Sequence, residues 1–399
     1  MQFKLRPEDF VVEELSARAA SEEGPLGLYL LRKRRLSTFE ALRRLARAQG
    51  LPLDRLSVAG LKDAQGVTSQ RLAARGELDL RRCPDGVELE LLGRTDRPLE
   101  AGDLRGNRFT VTVRGLSPSD LERSRRRLRQ IAAHGLVNYF DDQRFGTLVA
   151  GQPMPGRSLA HGRFEEAVRA LLAAPGHLDS PDERRFKRLV QRRWGEWDFL
   201  ARRWGGRRGA GIVRHLRRRP GDFRGALRAC PARERALHVF AYQSLVWNRA
   251  VAHYLTLALP AERVEWTPYA GGAHVWPDLD PDAPAPDWPQ TFPLLDHKVC
   301  FADELVRAAN EQVLADEGLS LERFRIRGVR GCFFRRYERS LFVRPVAFEL
   351  LREQADAARP GRRVVVLRFE LPPGAYATLL LKRLFRTARR GLPRAEARA

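Results

Sequence analysis

Apolar and polar residues alternate most regularly in two segments of the first third of the chain. Residues 87–91 carry an apolar side chain at every second position, and residues 106–114 do so from Phe109 onward. A period of two is typical of a strand with one buried face. In the second segment Phe109, Val111 and Val113 share one face, so the pattern places Phe109 in a core.

Two helices are marked at both of their ends. Ser37 and Glu40 form a capping box ahead of apolar residues at helical spacing, and Gly50 ends this helix. Ser117, followed by a proline, begins a second helix that ends at Gly135.

A strand, a loop and a second strand are predicted for residues 56–72. Gly60 and Gly66 bracket the loop, and Lys62 and Asp63 lie at its tip. A loop held by two strands is a rigid platform for functional residues. A solvated Lys-Asp turn explains the same residues more simply, so the pattern alone favours the turn over a functional site.

The remaining strands and helices define the fold class. The chain opens with extended segments at 3–5 and 10–14, and strands return after residue 330. The region from about 150 to 258 is mostly helical, and 277–289 forms an acidic, proline-rich, linker-like loop without metal-ligand spacing. Strands with interspersed helices predict an α+β fold with a mixed, largely antiparallel sheet and flanking helices.

The composition indicates the kind of partner and the cellular compartment that we expect. The chain has 399 residues, is 43% hydrophobic and carries a net charge of +23, which fits a globular protein of two domains with a polyanionic ligand. Arginine dominates the basic residues and suits RNA, although a proteome-wide preference for arginine would raise the same count.

No apolar run reaches membrane length, and the four cysteines show no C-x-x-C spacing. We therefore expect a soluble, cytoplasmic protein without structural zinc or disulfides.

Arginine is interleaved with Trp and Phe between residues 184 and 219. Such a pattern is typical of stacking surfaces for looped RNA, and equally of amphipathic helices with buried aromatic residues. On the helix that follows Ser37, the arginines at 43, 44 and 47 are assigned to a solvated face.

The loop at 60–70 resembles the G-x-K-D-x-x-A-x-T-x-Q motif of the TruD family of pseudouridine synthases, with Gly66 in place of the family's Ala. Other family motifs follow in the same order along the chain. The matches are Lys4, Pro7, Glu8, Asp9, Phe10, Val12 and Glu14 in the opening, Gly106-Asn107-x-Phe109, and the stretches 137–146, 240–248 and 371–378. In the stretch 137–146, Val137 and Asp141 depart from the family pattern; we assign its aromatic residues, Tyr139, Phe140 and Phe145, to a core at a domain junction.

The resemblance implies roles for individual residues. Asp63 corresponds to the family's catalytic nucleophile and Lys4 to the active-site lysine that pairs with it. Phe109 corresponds to a residue that stacks on the target uracil, and Asn107 to one that shapes the catalytic loop. Three further motif residues are candidates for substrate binding: Glu14, Lys62 and Gln70.

The resemblance also implies the architecture and the activity. A catalytic domain of pseudouridine-synthase type would comprise residues 1–149 and 331–399, with an inserted TruD-type domain at 150–330. The expected activity is isomerisation of a tRNA uridine, position 13 of the D arm in the family's bacterial members, to pseudouridine. We expect tRNA as the partner, no membrane association and a monomer. The reaction involves no redox change or group transfer, so it needs no cofactor or metal, and an aspartate with an ordinary pKa of about 3.9 is already ionised at neutral pH.

Two other classes of function remain. A non-catalytic RNA-binding protein would account for the charge, although the match at Asp63 and Lys4 argues against it. An aspartate-dependent nuclease would need clustered carboxylates for divalent metal, and Asp63 has no acidic neighbour in its loop.

Overall fold

The computed structural model describes residues 2–146, 154–176 and 179–393. Its strands are β1 (Phe10–Ser16), β2 (Leu26–Arg34), β3 (Leu56–Ser57), β4 (Val67–Arg75), β5 (Val87–Thr95), β6 (Leu104–Leu116), β7 (Leu136–Val137), β8 (Val264–Tyr269), β9 (Gly272–Pro277), β10 (Thr291–Leu294), β11 (Tyr337–Ser340), β12 (Phe342–Val343), β13 (Val346–Ala355), β14 (Arg363–Leu371) and β15 (Arg389–Arg390). Its helices are α1 (Thr38–Ala48), α2 (Pro118–His134), α3 (Asp142–Phe145), α4 (Pro155–Ala160), α5 (Phe164–Ala173), α6 (Pro181–Arg192), α7 (Trp197–Trp204), α8 (Ala210–Arg218), α9 (Phe223–Arg228), α10 (Ala232–Ala258), α11 (Glu304–Glu317) and α12 (Ala377–Phe385).

The chain divides into two units by its internal contacts. Unit 1 comprises Met1–Leu136 and Val343–Arg386, and unit 2 comprises Val137–Phe342 and Thr387–Ala399. The sequence-based bounds at 149 and 331 both fall inside unit 2. The assignment of residues 150–330 to an inserted family domain stays a prediction.

Unit 1 is built on a sheet that has eight strands among the described residues. Their order is β13-β14-β6-β1-β4-β2-β5, with β3 beside β4. Only β1 and β4 run parallel in this order, and the other paired strands are antiparallel. The α+β class with a mixed, largely antiparallel sheet is therefore confirmed.

Helix α1 covers one face of this sheet. Its apolar residues Leu42 and Leu45 pack with Tyr29 and Leu31 of β2 in a single buried cluster. The Ser37 side chain accepts the backbone N–H of Glu40, as the sequence predicts. This cap satisfies an otherwise unpaired amide and fixes where the helix begins.

Helix α2 also has the predicted ends. Ser117 and Asp120 cap each other reciprocally, and Gly135 follows the last turn with a φ of 87°. The buried guanidinium of Arg127 on α2 donates to two carbonyl groups at the end of α12, those of Arg383 at 2.9 Å and Arg386 at 2.6 Å. Because the last carbonyls of a helix lack partners within the helix, this arginine stabilises the end of α12.

Unit 2 is mainly helical and is organised around α10, whose 27 residues include a long buried stretch. The amide of Asn248 accepts the N–H of Phe140 and donates to its carbonyl, both at 2.8 Å. Tyr139, Phe140 and Phe145 are buried, so their assignment to a core is confirmed. The two motif stretches at 137–146 and 240–248 thus meet in one core.

Two small sheets complete the described part of unit 2, with orders β15-β8-β9 and β10-β11. No helix among the described residues combines the length and apolarity that crossing a membrane requires.

Candidate active site

Asp63 lies in the loop between β3 and β4, as predicted, and its side chain is only 13% exposed. One carboxylate oxygen, Oδ2, is 2.5 Å from the ammonium nitrogen of Lys4. The other oxygen accepts the backbone N–H of Gln65 at 2.7 Å. The structure therefore brings together the two residues that the motifs identify as catalytic.

Lys4 reaches Asp63 from an unusual backbone conformation. The sequence predicts an extended segment at 3–5, but Lys4 has a φ of 63°, in the left-handed region that few residues other than glycine adopt. That prediction is wrong. A backbone pairing between Gln2 and Arg114 fixes the chain just before Lys4, and the Lys4 ammonium lies 4.1 Å from the centre of the Phe10 ring. Such strain persists only where surrounding contacts hold it.

Lys62, the sequence neighbour of Asp63, has a different partner. Its ammonium lies 2.8 Å from Oε2 of Glu14, and the two side chains are 3% and 1% exposed. The other Glu14 oxygen accepts the N–H of Arg71 at 3.1 Å. Both Glu14 and Lys62 thus act within the protein, and a direct contact with substrate stays a prediction for each.

Gln70 shapes the same loop through hydrogen bonds. Its side-chain oxygen accepts the hydroxyl of Thr38 at 3.0 Å, and its nitrogen donates to the carbonyl of Gly60 at 2.9 Å. The Thr38 oxygen in turn accepts the N–H of Lys62. Gln70 is fully buried, so its observed role is to hold the loop against β4 and α1.

Phe109 lies within a row of aromatic rings. Its ring is 5.5 Å from that of Phe369 in a stacked arrangement and 6.0 Å from that of Phe10 in an edge arrangement. The residue is 7% exposed. The alternating pattern of β6 therefore placed Phe109 correctly in a core, and its stacking on a uracil stays a prediction.

Asn107 lies two residues before Phe109 on β6. It is in register with Glu14 on β1 and with Leu371 on β14. Its side-chain oxygen is buried and has no hydrogen-bond partner among the described residues. A buried acceptor without a partner is costly, and a role of Asn107 toward the substrate stays a prediction.

Gly66 replaces the family's alanine for a visible reason. A Cβ atom on Gly66 would lie 2.1 Å from the carbonyl oxygen of Phe10. This distance is far below van der Waals contact, so the close approach of the Gly66 backbone to the Phe10 backbone requires glycine here.

Lys33 on β2 is a site residue that the motifs did not indicate. It is 2% exposed, and its ammonium donates to the carbonyl oxygens of Asp63 and Leu36. The sequence carries one signal for it, since Lys33 falls on the same face of its strand as Tyr29 and Leu31. A lysine on an apolar strand face is expected to have hydrogen-bond or ion-pair partners inside the protein.

Two tryptophans in the arginine-rich segments of unit 2 are turned inward. Trp197 and Trp204 are 5% and 3% exposed. The guanidinium of Arg207 lies 4.2 Å over the ring of Phe186. For these two tryptophans the buried interpretation is therefore correct, and the exposed arginines remain as the candidate contact with RNA.

Among residues 2–146, 154–176 and 179–393, no group of three or more His, Cys, Asp or Glu side chains is arranged to hold a metal ion. At Asp63 the structure brings together one carboxylate, the ammonium of Lys4 and the ring of Phe10 against that ammonium.

Comparison with known proteins gives a consistent match. The model of the family tRNA pseudouridine synthase D (TruD) matches residues 1–267 and 285–384. A relative from Geobacter metallireducens, named tRNA pseudouridine synthase D, is 31% identical over 402 residues, covering 97% of this chain and 95% of its own. One of the same name from Aquifex aeolicus is 28% identical, with 96% and 98% covered.

A solved structure shows the same architecture. The crystal structure of the putative tRNA pseudouridine synthase D from Methanosarcina mazei superposes with a TM-score of 0.71 at 26% identity, covering 97% of this chain and 93% of that chain. Fold, motifs and site together define an isomerase of the pseudouridine synthase class. The chain belongs to the tRNA pseudouridine synthase D (TruD) family.

Proposed function

We propose that this protein converts a uridine of tRNA into pseudouridine with Asp63 as the nucleophile. The observation that carries the proposal is the ion pair of Asp63 with Lys4, which holds a single, partly exposed carboxylate 2.5 Å from an ammonium. Fixing a charged nucleophile in place before the substrate arrives lowers the cost of reaching the transition state.

The reaction needs no atoms beyond those of the uridine. The bond from the ribose carbon to the base nitrogen breaks, the base turns, and a ring carbon of the base bonds to the ribose instead. That ring carbon gives up its proton, and the freed nitrogen gains one, so the product is an isomer. Asp63 supplies the attacking carboxylate, and the bond that it forms to the uridine breaks again before the product leaves, which regenerates the carboxylate. Lys4 pairs with the negative charge of Asp63 in the free enzyme.

The relatives and the charge support tRNA as the partner, and the family resemblance supports the choice of target. The relatives are named as tRNA pseudouridine synthases, and a net charge of +23 suits a nucleic-acid substrate. We place the target at uridine 13 of the D arm, which rests on the family resemblance. Mapping pseudouridines in tRNA from cells with and without the protein tests this position.

The substitution Asp63→Asn tests the nucleophile. It removes the negative charge but keeps the size of the side chain, so pseudouridine formation on unmodified tRNA should fall by several orders of magnitude. RNA affinity and melting temperature should barely change. Asp85→Asn, in an exposed turn, is the matched control and should retain full activity.

Four other outcomes would contradict the mechanism or the function. A near-normal pseudouridine yield from Asp63→Asn would sink the proposed mechanism, and joint loss of binding and folding would make Asp63 a structural residue. RNA binding without any pseudouridine in the wild type would leave a non-catalytic RNA-binding protein. RNA cleavage that a chelator abolishes would indicate a nuclease.

A further inference from the structure

Lys33 occupies a place where a charged residue is costly. It lies on β2 between Thr68 of β4 and Val87 of β5, and it is 2% exposed. Its neighbours on the same face, Tyr29 and Leu31, belong to the apolar cluster under α1. An ammonium is retained in such surroundings only if it has specific partners.

The partners are two carbonyl groups from separate segments. The Lys33 nitrogen donates to the carbonyl oxygen of Asp63 at 2.7 Å and to that of Leu36 at 2.6 Å. Leu36 comes immediately before Ser37, which caps α1. One ammonium thus ties the main chain of Asp63 to the entry of a helix.

The charged groups that act on Lys33 lie in the loop of Asp63. Asp63 and Lys62 of the loop act on it, the first raising its pKa and the second lowering it. The strand neighbours Thr68 and Val87 are uncharged. Burial is the largest influence and lowers the pKa of Lys33 from 10.5 to about 8. Lys62 and Asp63 themselves face Glu14 and Lys4.

We propose that Lys33 is a positioning residue for Asp63. By holding the carbonyl of the nucleophile's own residue, it keeps the Asp63 carboxylate within reach of Lys4, and its charge favours the ionised carboxylate. The inference rests on the proposed function of Asp63. It assigns a role to a buried side chain that holds the main chain of Asp63.

The experiment compares wild type, Lys33→Met, Lys33→Arg and the control Arg32→Met in single-turnover pseudouridine formation on unmodified tRNA between pH 6 and 9.5. Arg32 is the neighbour of Lys33 on β2, is half exposed and pairs with Glu90. RNA affinity and melting temperature are measured on the same samples, and Asp63→Asn is included throughout.

Lys33→Met should slow the single-turnover step by about 10- to 100-fold, because small misplacements of a catalytic group have effects of this size. RNA affinity should stay within about twofold of the wild type, and Arg32→Met should match the wild type. The wild-type rate should decline as Lys33 loses its proton, whereas Lys33→Arg, which stays charged, should lack this decline and keep more activity than Lys33→Met. Ionisation of the uracil would affect all variants alike.

Distinct results overturn the inference. Wild-type rates in Lys33→Met, or a loss that lies wholly in RNA affinity, would show that Lys33 does not position Asp63. If Lys33→Met fails to fold, an alkaline decline in Lys33→Arg identical to that of the wild type overturns it. An inactive wild type or an active Asp63→Asn would instead defeat the proposed function itself.

Discussion

The ammonium of Lys62 forms a buried ion pair with Glu14, 2.8 Å from its carboxylate oxygen. Asp63, the next residue, pairs instead with Lys4. Consecutive residues therefore take their partners from two different parts of the N-terminal segment. The lysine that adjoins the proposed nucleophile in sequence anchors its loop, and the distant one faces its carboxylate.

Removing one charge of this buried pair should destabilise the fold. Glu14→Gln leaves the Lys62 ammonium buried without its counter-charge, so the free energy of unfolding should fall by about 3–5 kcal/mol in urea denaturation. Glu90→Gln, which breaks the half-exposed pair with Arg32, should cost less than about 1 kcal/mol. Equal effects of the two substitutions would contradict the special role of the buried pair.

Phe109 and Phe369 allow packing to be separated from catalysis. Both rings are buried and stacked on each other, so Phe109→Leu and Phe369→Leu should each lower the free energy of unfolding by about 1–3 kcal/mol. If Phe109 also stacks on the uracil, only its substitution should greatly reduce turnover, since stacking contributes about 1–3 kcal/mol per base. Equal turnover in the two folded variants would restrict Phe109 to the core.

Gly66→Ala should displace the loop that carries Asp63. The new Cβ would lie 2.1 Å from the Phe10 carbonyl oxygen. This clash is relieved only if the backbone of the loop moves. We expect loss of both thermal stability and turnover. Gly102→Ala is the control, because its Cβ would meet no atom within 4 Å; it should be neutral or stabilise by about 0.4–1 kcal/mol. Normal activity in Gly66→Ala would mean that the loop tolerates this shift.

Burial of Lys33 predicts a pH dependence of stability. Its pKa is about 8 in the folded protein, against an ordinary value of 10.5. Between these values the unfolded chain holds the proton and the folded chain does not, so stability should rise with pH, by up to about 3 kcal/mol from this residue. Urea denaturation from pH 7 to 10 should show this rise in wild type relative to Lys33→Met. If the free energy of unfolding changed with pH in the same way in both proteins, the lowered pKa of Lys33 would be refuted.

The exposed arginines on both sides of Trp204 should determine how strongly the affinity for RNA depends on salt concentration. Each phosphate contact adds about 0.7–0.9 to the slope of log affinity against log salt. Replacing four of them by alanine, Arg202, Arg203, Arg207 and Arg208, should therefore reduce the slope by up to about 3. The triple alanine variant of Arg43, Arg44 and Arg47, assigned to a solvated face, should not change it. An unchanged slope in the quadruple variant would remove this segment from the RNA contact.

Local features of the fold could be predicted because local chemistry decides them. The cap at Ser37 and the end of α2 at Gly135 follow from side chains that act on nearby backbone groups. The family could be predicted because its motifs occur in order along the chain. The pairing of Lys4 with Asp63 was accessible only through that resemblance, since 59 residues separate them.

Other features could not be predicted because they depend on distant parts of the chain. The parallel pairing of β1 with β4 joins segments that no local pattern connects. The left-handed conformation of Lys4 depends on the contact of Gln2 with Arg114. The buried pairing of Lys62 with Glu14 also joins two segments that are distant in sequence.

The order of strands in unit 1 has a consequence for biosynthesis. Strand β6, which carries Phe109, is flanked by β1 on one side and by β14 on the other, and Phe369 comes from β14. A ribosome that has translated the chain only as far as Phe342 has already made Lys4, Asp63 and Phe109. In that nascent chain one edge of β6 still lacks its neighbour and is open to wrong pairing. The aromatic row beside the proposed nucleophile therefore forms only after β14 has been synthesised.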